Sequence, residues 1–252
     1  MTVFFHMIVC VCKTLINAMS KKSPAVRKGR EEDIIDASRC AVVAVDTVIF
    51  TIRDGRLNVL LMKLDHGYFK DSWAIPGGIV DIDEDLDDTA KRRLKEKTGL
   101  TDVYLEQLYS FGEVRRDPRR RVVTVAYFAL VNADNVRLEK AERDAVMWMP
   151  VNRLPKLAYD HNQIADYALS RLRSKIEYTN IVYSLLPEKF TLSQLQKVYE
   201  IILDEPIDKR NFRRKIISLD LIKETGSQIG VAHRPSKLFS FRSKKMKIVR
   251  IF

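Results

Sequence analysis

Cysteine is scarce in this chain, which excludes a disulfide framework. The three cysteines are Cys10, Cys12 and Cys40, and their spacing does not match a structural zinc site. A reducing compartment, the cytoplasm, is therefore expected. Glycine and proline are also few, with nine and eight residues among 252, while 46% of the residues are hydrophobic. This composition excludes collagen-like and disordered classes and supplies the material for a globular core.

Long apolar runs are equally rare. Residues 1–18 are mostly apolar, but Lys13 interrupts them and the stretch is too short to span a bilayer. It also lacks the basic start and the small-residue cleavage site of a signal peptide. We therefore expect no membrane association. Residues 1–35 are interpreted as a leader outside the fold, either disordered or placed before the true start, for which Met19 is a candidate.

Negative charge is in deficit, because 44 lysines and arginines outnumber 33 aspartates and glutamates and give a net charge of +11. The excess is uneven: residues 188–252 hold fifteen of the basic residues and only seven of the acidic ones. An excess of positive charge in one part of a chain indicates an anionic partner. Its concentration at one end is typical of a module that binds nucleic acid.

The most patterned part of the chain is residues 77–100. Gly77 and Gly78 predict a tight turn with positive φ. Asp83 is the predicted N-cap of a helix with an acidic start, and Gly99 is its predicted C-terminal stop. The apolar stripe of this helix repeats every four residues and consists of Leu86, Ala90 and Leu94.

This stretch resembles the Nudix box, whose pattern is Gly, five residues, Glu, seven residues, then Arg-Glu-apolar-x-Glu-Glu-x-Gly-apolar. The positions that match here are Gly78, Glu84, Arg92, Leu94, Glu96, Gly99 and Leu100. The resemblance implies a pocket for a nucleoside diphosphate compound within an α/β/α sandwich. Active members hold a divalent metal with three glutamates at the positions occupied here by Arg93, Glu96 and Lys97.

The departures at these three positions reverse the sign of the formal charge at the metal site. Mg²⁺ requires oxygen ligands, and two cationic side chains repel it. We therefore predict no metal, no cofactor and no catalytic residue, with Glu84, Arg92 and Glu96 as residual Nudix positions. The same cations attract a diphosphate, so the predicted ligand-binding residues are Lys63, Gly78, Arg93, Glu96 and Lys97. The alternative is that Arg93 and Lys97 are solvated surface charges.

The surrounding pattern fits an α/β fold. Strands are predicted over residues 40–50, 57–62, 103–111, 122–131 and 146–150, and a helix over 160–173. Asp54-Gly55 is a hairpin-turn signal. We assign residues 36–175 to a Nudix-like ligand-sensing domain and 176–187 to a connector. The arginine-rich stretch 115–121 has two interpretations, either a solvated hairpin tip or a contact with nucleotide phosphate or DNA.

Residues 188–252 predict a winged helix-turn-helix domain. Thr191 and Asp208 are N-cap candidates for two consecutive helices, and two alternating segments, 221–225 and 236–241, predict the strands of a wing. Four cations on the second helix occupy positions i, i+1, i+4 and i+5 and so share a face. The predicted DNA-binding residues are Lys209, Arg210, Asn211, Arg213 and Arg214 on the helix and Arg234 and Lys237 on the wing. The alternative is a basic solvated face.

The combination of modules resembles the Nudix-related transcriptional regulators of the NrtR type. Similar stretches are Phe190–Tyr199 (FTLSQLQKVY), Asp208–Lys215 (DKRNFRRK) and residues 116–127. The resemblance implies a homodimeric repressor that binds a double-stranded DNA operator, controls genes of NAD metabolism and is released by ADP-ribose or a related nucleotide. Relatives in this group respond to a sugar instead. The alternatives are an active ADP-ribose pyrophosphatase that uses Mg²⁺ and an RNA-binding or RNA-decapping Nudix protein.

Overall fold

The computed structural model describes residues 40–101, 103–136, 145–228 and 235–251. The leader predicted at residues 1–35 and the wing residue Arg234 lie outside these ranges. Within these ranges, no helix is long and apolar enough to cross a bilayer.

The central strand of the sheet is β1, Val42–Arg53, and a tight turn connects it to β2, Arg56–Lys63. Asp54 and Gly55 at the turn have φ of 51° and 69°. Two consecutive positive φ values are characteristic of the hairpin turn that matches the twist of the strands. The predicted hairpin is thus confirmed.

Five further strands complete the sheet: β3 Trp73–Ala74, β4 Gly77–Ile79, β5 Tyr104–Phe111, β6 Val122–Leu130 and β7 Val146–Pro150. The sheet is mixed, with β1 parallel to β6 and antiparallel to its other neighbours. Its order is β3-β2-β1-β6-β5, while β4 pairs with β1 and β7 pairs with β2. The segments predicted as strands therefore form one sheet.

Two helices cover the two faces of this sheet: α1, Leu86–Thr98, and α2, His161–Tyr178. Side chains alternate between the faces of a strand. Val45 of β1 accordingly joins Ala90 of α1 in one apolar cluster, and Val48 joins the other cluster with Ile164 of α2. The predicted α/β/α sandwich is confirmed.

The diglycine differs from the prediction, because neither Gly77 nor Gly78 has a positive φ. Both lie in β4 and pair with β1, and they are required for close approach: a Cβ on Gly77 would lie 2.2 Å from Asp46 Oδ1. The predicted N-cap was also wrong, since the cap position is Asp85 and its side chain makes no capping bond. Gly99, with φ of 72°, ends α1 as predicted.

Helices α3, Leu192–Leu203, and α4, Lys209–Ser218, form the helix-turn-helix. Thr191 caps α3 in a reciprocal capping box, because its hydroxyl accepts from the Gln194 amide while the Gln194 side chain accepts from the Thr191 amide. Asp208 caps α4 by accepting from the Asn211 amide at 2.7 Å. Both predicted caps are confirmed.

The wing is the antiparallel pair β8, Ile222–Ser227, and β9, Lys237–Phe241. The apolar core runs without a break from the sheet through α2 into the winged helix. Helix α2 extends to Tyr178, so the connector predicted at residues 176–187 begins inside that helix and includes the 3₁₀ turn Ile181–Leu185.

Candidate functional site

Arg92 is the centre of an ion-pair network on α1. Its Nε and Nη2 donate to the two oxygens of Glu84 at 2.8 and 2.5 Å, a bidentate pairing. Its Nη1 donates to Glu96 at 3.2 Å, and its Nη2 also reaches Asp81 at 3.1 Å. The hydrogen bonds from Arg92 lower the pKa of Glu84 to about 2, so that Glu84 stays ionised in mild acid as well as at neutral pH.

Arg93 takes the second oxygen of Glu96, donating from Nη1 to Oε2 at 3.0 Å. Both oxygens of the one glutamate that remains from the metal-binding set therefore accept from guanidinium groups. Arg93 also lies against the diglycine, since a Cβ on Gly78 would be 2.5 Å from Arg93 Nε. The absence of a side chain at Gly78 leaves the space that this guanidinium occupies.

The other two predicted ligand residues, Lys63 and Lys97, face the loop that follows β2. Lys63 Nζ lies 3.7 Å from an oxygen of Asp71. The hydrogen bond from His66 lowers the pKa of Asp65 in the same loop, and the charge of Lys97 contributes to this shift. Arg93 therefore contacts both Gly78 and Glu96, while the two predicted lysines lie near an adjacent loop.

The donor set at this site does not suit a divalent metal. Glu96 is the only carboxylate among the three positions that hold the metal in active Nudix members, and it is already paired with Arg92 and Arg93. Across the residues that the structure covers, no cluster of three His, Cys, Asp or Glu side chains could hold a metal ion.

A buried charge network, which the sequence analysis missed, lies behind Gly77. Arg116 donates to both oxygens of Asp160, at 2.7 and 2.9 Å, and its Nη2 is 3.3 Å from Asp46 Oδ2. Burial alone would raise the pKa of Asp46, but His161 and Arg116 outweigh this effect and hold that pKa below its ordinary value. The available signal was a lone aspartate within the valine-rich strand β1.

His161 orients this network from the start of α2. Its Nδ1 accepts the Ile75 amide at 3.0 Å, which leaves the proton on Nε2, and Nε2 lies 3.6 Å from Asp46 Oδ1. The same Asp46 oxygen is the atom that a Cβ on Gly77 would strike. The network is thus joined directly to the diglycine strand of the Nudix box.

The arginine-rich stretch 115–121 is not a uniformly solvated tip. Arg116 and Asp117 are each 7% exposed. Arg119, which is exposed, donates to the Asp117 carboxylate at 3.2–3.3 Å and to the Tyr159 hydroxyl at 3.2 Å. Tyr159 has a φ of 54°, a strained value for an aromatic residue. The solvated interpretation is therefore wrong for Arg116 and Asp117, and a phosphate contact by the exposed arginines of this stretch stays a prediction.

Helix α4 presents most of the predicted DNA-binding residues to solvent. Lys209, Arg210, Asn211 and Arg214 are exposed, and Arg214 donates to the Asn211 amide oxygen at 2.9 Å. Arg213 differs, because it is half-buried and donates to Ser193 Oγ of α3 at 2.9 Å. The predicted shared face thus has three exposed cations, with Arg213 turned toward α3.

On the wing, Lys237 is paired with Glu224 of the facing strand at 2.8 Å. This cross-strand pair partly offsets the positive charge predicted for the wing. Arg234 lies outside the described residues. The exposed cations of α4 are therefore the strongest candidate for a nucleic-acid contact.

Comparison with known proteins identifies both modules of the chain. The family model of the NUDIX domain matches residues 42–172, and that of the NrtR DNA-binding winged helix domain matches residues 182–241. The "ADPR responsive transcriptional repressor NtrR" of Acinetobacter baylyi is 39% identical over 204 residues, covering 79% of this chain and 82% of that protein. The chain belongs to the NrtR family of Nudix-related regulators.

Two further relatives show how the modules are shared. The structure of Shewanella oneidensis NrtR complexed with a 27mer DNA is 36% identical, with a TM-score of 0.73, over 79% of this chain and 93% of that one. An ADP-ribose pyrophosphatase of Methanocaldococcus jannaschii is 33% identical over 122 residues, 48% of this chain and 69% of that protein. The NrtR relatives therefore match both modules, and the 122-residue pyrophosphatase match is confined to about half of the chain.

Proposed function

We propose that this protein is a transcriptional repressor that binds a double-stranded DNA operator through α4 and senses ADP-ribose or a related nucleotide through its Nudix-like unit. The observation that carries the proposal is the exposed row of Lys209, Arg210 and Arg214 on a capped helix within a match to a DNA-binding winged helix. Relatives that match both modules are named as an ADPR-responsive repressor and as an NrtR complexed with DNA.

The regulated genes are proposed to be those of NAD metabolism, and the active species a cytoplasmic homodimer. Two winged helices related by a two-fold axis would read two operator half-sites about one DNA turn, roughly 34–36 Å, apart. Effector binding would favour a geometry of the dimer that no longer fits these half-sites, which is a coupling between two binding sites.

The Nudix-like unit is proposed to bind its ligand without hydrolysing it and without Mg²⁺ or another cofactor. The support is the pairing of Glu96 with Arg92 and Arg93, which leaves no free carboxylate at the three metal positions. The two cations at these positions, Arg93 and Lys97, would attract the diphosphate group of the ligand directly. The unit would therefore serve as a sensor.

The second candidate is an ADP-ribose pyrophosphatase, favoured by the resemblance to the M. jannaschii enzyme. A direct test separates the two. Fluorescence anisotropy should show tight binding to DNA from upstream of the gene's own operon and weak binding to scrambled DNA, with release of the specific complex by ADP-ribose. Equal affinity for both DNAs, together with Mg²⁺-dependent cleavage of ADP-ribose, would replace the repressor with the hydrolase.

A further inference from the structure

The segment after the wing, residues 242–251, returns across the far end of α2, and we refer to it as the C-terminal strap. It lies beyond the match to the winged-helix family model, which ends at residue 241. The Val249 amide donates to the Tyr178 carbonyl and the Ile251 amide to the Glu177 carbonyl, both at 2.8 Å. The strap is therefore held by backbone pairing to the last turn of α2.

Asn180 is only 2% exposed and makes three hydrogen bonds to the backbone of the strap. Its Nδ2 donates to the Lys245 carbonyl at 3.1 Å, and its Oδ1 accepts from the Lys247 amide at 2.6 Å. Its own amide donates to the Lys247 carbonyl at 3.3 Å. A buried amide is costly when left unpaired, so these bonds fix the path of the strap.

The strap contacts both modules. On the sheet side, the Met246 sulfur lies 3.8 Å from the Tyr104 hydroxyl of β5, and Ile251 is buried in the shared core. On the winged-helix side, Arg242 pairs at 2.9 Å with Asp220, two residues beyond the end of α4. One short segment thus contacts both the sensor sheet and the turn that follows the helix proposed to bind DNA.

Helix α2 links the strap to the Nudix box. Its first residue, His161, faces Asp46, which lies against Gly77 of the box, and its last residue, Tyr178, holds the strap. A helix of 18 residues spans roughly 27 Å and is stiff along its axis. If the buried charge network around Asp46 moves, α2 would therefore move as a rigid body and shift the strap at its other end.

We propose that Asn180 is a positioning residue that, through the strap, sets the orientation of the winged helix relative to the Nudix-like unit and so couples effector binding to DNA affinity. This inference rests on the proposed function, since it concerns how the sensor acts on the winged helix. Without the hydrogen bonds of Asn180, the winged helix samples several orientations both with and without bound effector. The effector then changes the population of these orientations very little.

The competing explanation is that the strap contacts DNA directly, because it carries the exposed cations Lys244, Lys245 and Lys247. A phosphate contact would appear in the salt dependence of binding, as log K falls by about 0.9 per neutralised phosphate per decade of salt. A positioning role would leave that slope unchanged. The two explanations are thus separable by experiment.

The test uses the full chain and four proteins: wild type, Asn180→Ala, Asn180→Asp, which retains the acceptor for the Lys247 amide, and a triple alanine variant at Lys244, Lys245 and Lys247. Operator affinity is measured with and without ADP-ribose. On addition of ADP-ribose, the operator affinity of wild type should fall by the roughly 5–150-fold that is typical of coupled sites. The operator affinity of Asn180→Ala should fall by less than about threefold. Effector-free operator affinity of Asn180→Ala should fall modestly, because only part of the population then has the orientation that binds DNA. Its ADP-ribose affinity should stay close to wild type, and the triple variant should retain the coupling.

Scanning calorimetry without ligand tests Asn180 independently of the effector. Wild type should unfold in one transition and Asn180→Ala in two, because the two modules no longer unfold together. If wild type itself ignores ADP-ribose, the proposed function fails and calorimetry alone decides the role of Asn180. Full coupling and a single transition in both Asn180 variants would overturn the proposal, as would a flatter salt slope in the triple variant.

Discussion

Arg116 Nη2 lies 3.3 Å from Asp46 Oδ2 in a site where both side chains are less than 10% exposed. The pair joins the loop between β5 and β6 to the central strand, and Asp160 adds a second carboxylate from the start of α2. Three segments distant in sequence are held together by this one guanidinium. The arrangement lies behind the Nudix box and anchors the helix that leads to the winged helix.

Replacing Arg116 with methionine should lower the free energy of unfolding by about 3–5 kcal/mol, because Asp46 and Asp160 would then be buried without a counter-charge. Urea denaturation monitored by circular dichroism measures this loss. Arg120→Met, a change to an exposed residue of the same loop, is the matched control and should have little effect. Equal stability of the two variants would mean that the buried pair is not a stabilising contact.

The lowered pKa of Asp46 predicts a loss of stability in acid. A carboxyl whose pKa is lower in the folded state than in the unfolded state stabilises the fold above its ordinary pKa, about 3.9, and this contribution disappears as the pH falls through the folded pKa. Asp46→Asn lacks the contribution. Thermal melts at several pH values should show wild type more stable at neutral pH and the two proteins converging below about pH 4. A difference in melting temperature between the two proteins that does not change with pH would contradict the lowered pKa of Asp46.

The pairing of Glu96 with two arginines predicts catalytic silence. Mg²⁺-dependent turnover of ADP-ribose should fall far below the range of roughly 1–10³ s⁻¹ typical of enzymes. The double change Arg93→Glu with Lys97→Glu should raise the affinity for Mg²⁺ or Mn²⁺, measured by calorimetry. Lys91→Glu with Lys95→Glu makes the same charge change elsewhere on α1 and should not. Wild-type turnover in that range, abolished by Glu96→Gln, would show an active metal site.

Ligand binding should not require metal. ADP-ribose is expected to bind in the presence of EDTA, and Arg93→Ala should weaken binding by roughly 1.5–3 kcal/mol, the value of a hydrogen bond to a charged group. Isothermal titration calorimetry gives both affinities, and Lys91→Ala on the same helix is the control. If the titration shows a heat of binding with a pentose and none with ADP-ribose or NAD, the protein would instead belong to the sugar-responsive regulators.

Two phenotypes are expected within α4. Arg210→Ala and Arg214→Ala should weaken operator binding by roughly 1–3 kcal/mol each and leave scrambled DNA unaffected, as for base-edge contacts. Lys209→Ala should weaken all DNA alike and reduce the salt slope by about 0.9, as for one phosphate contact. Lys197→Ala, an exposed cation on α3, is the control. If Arg210→Ala with Arg214→Ala changes neither affinity, α4 is a solvated surface and not the recognition helix.

The local features of this protein could be predicted from its sequence, because their signals lie within a few residues. Asp54-Gly55 specifies a hairpin turn, Thr191 and Asp208 cap helices, and Gly99 ends one. The departure from the three metal-binding glutamates was visible for the same reason, since Arg93 and Lys97 stand at fixed spacings from Glu96. Spacing along one helix determines which side chains share a face.

Only the tertiary structure decided the buried network and the role of the diglycine. Asp46, Arg116 and His161 come from separate segments, and no local period indicates that they meet. Gly77 was expected to supply a positive φ, but it is needed because an Asp46 oxygen approaches within 2.2 Å of where its Cβ would be. Asp46 lies 31 residues before Gly77 in the chain, and the pairing of β1 with β4 brings the two together. Local sequence does not encode this pairing.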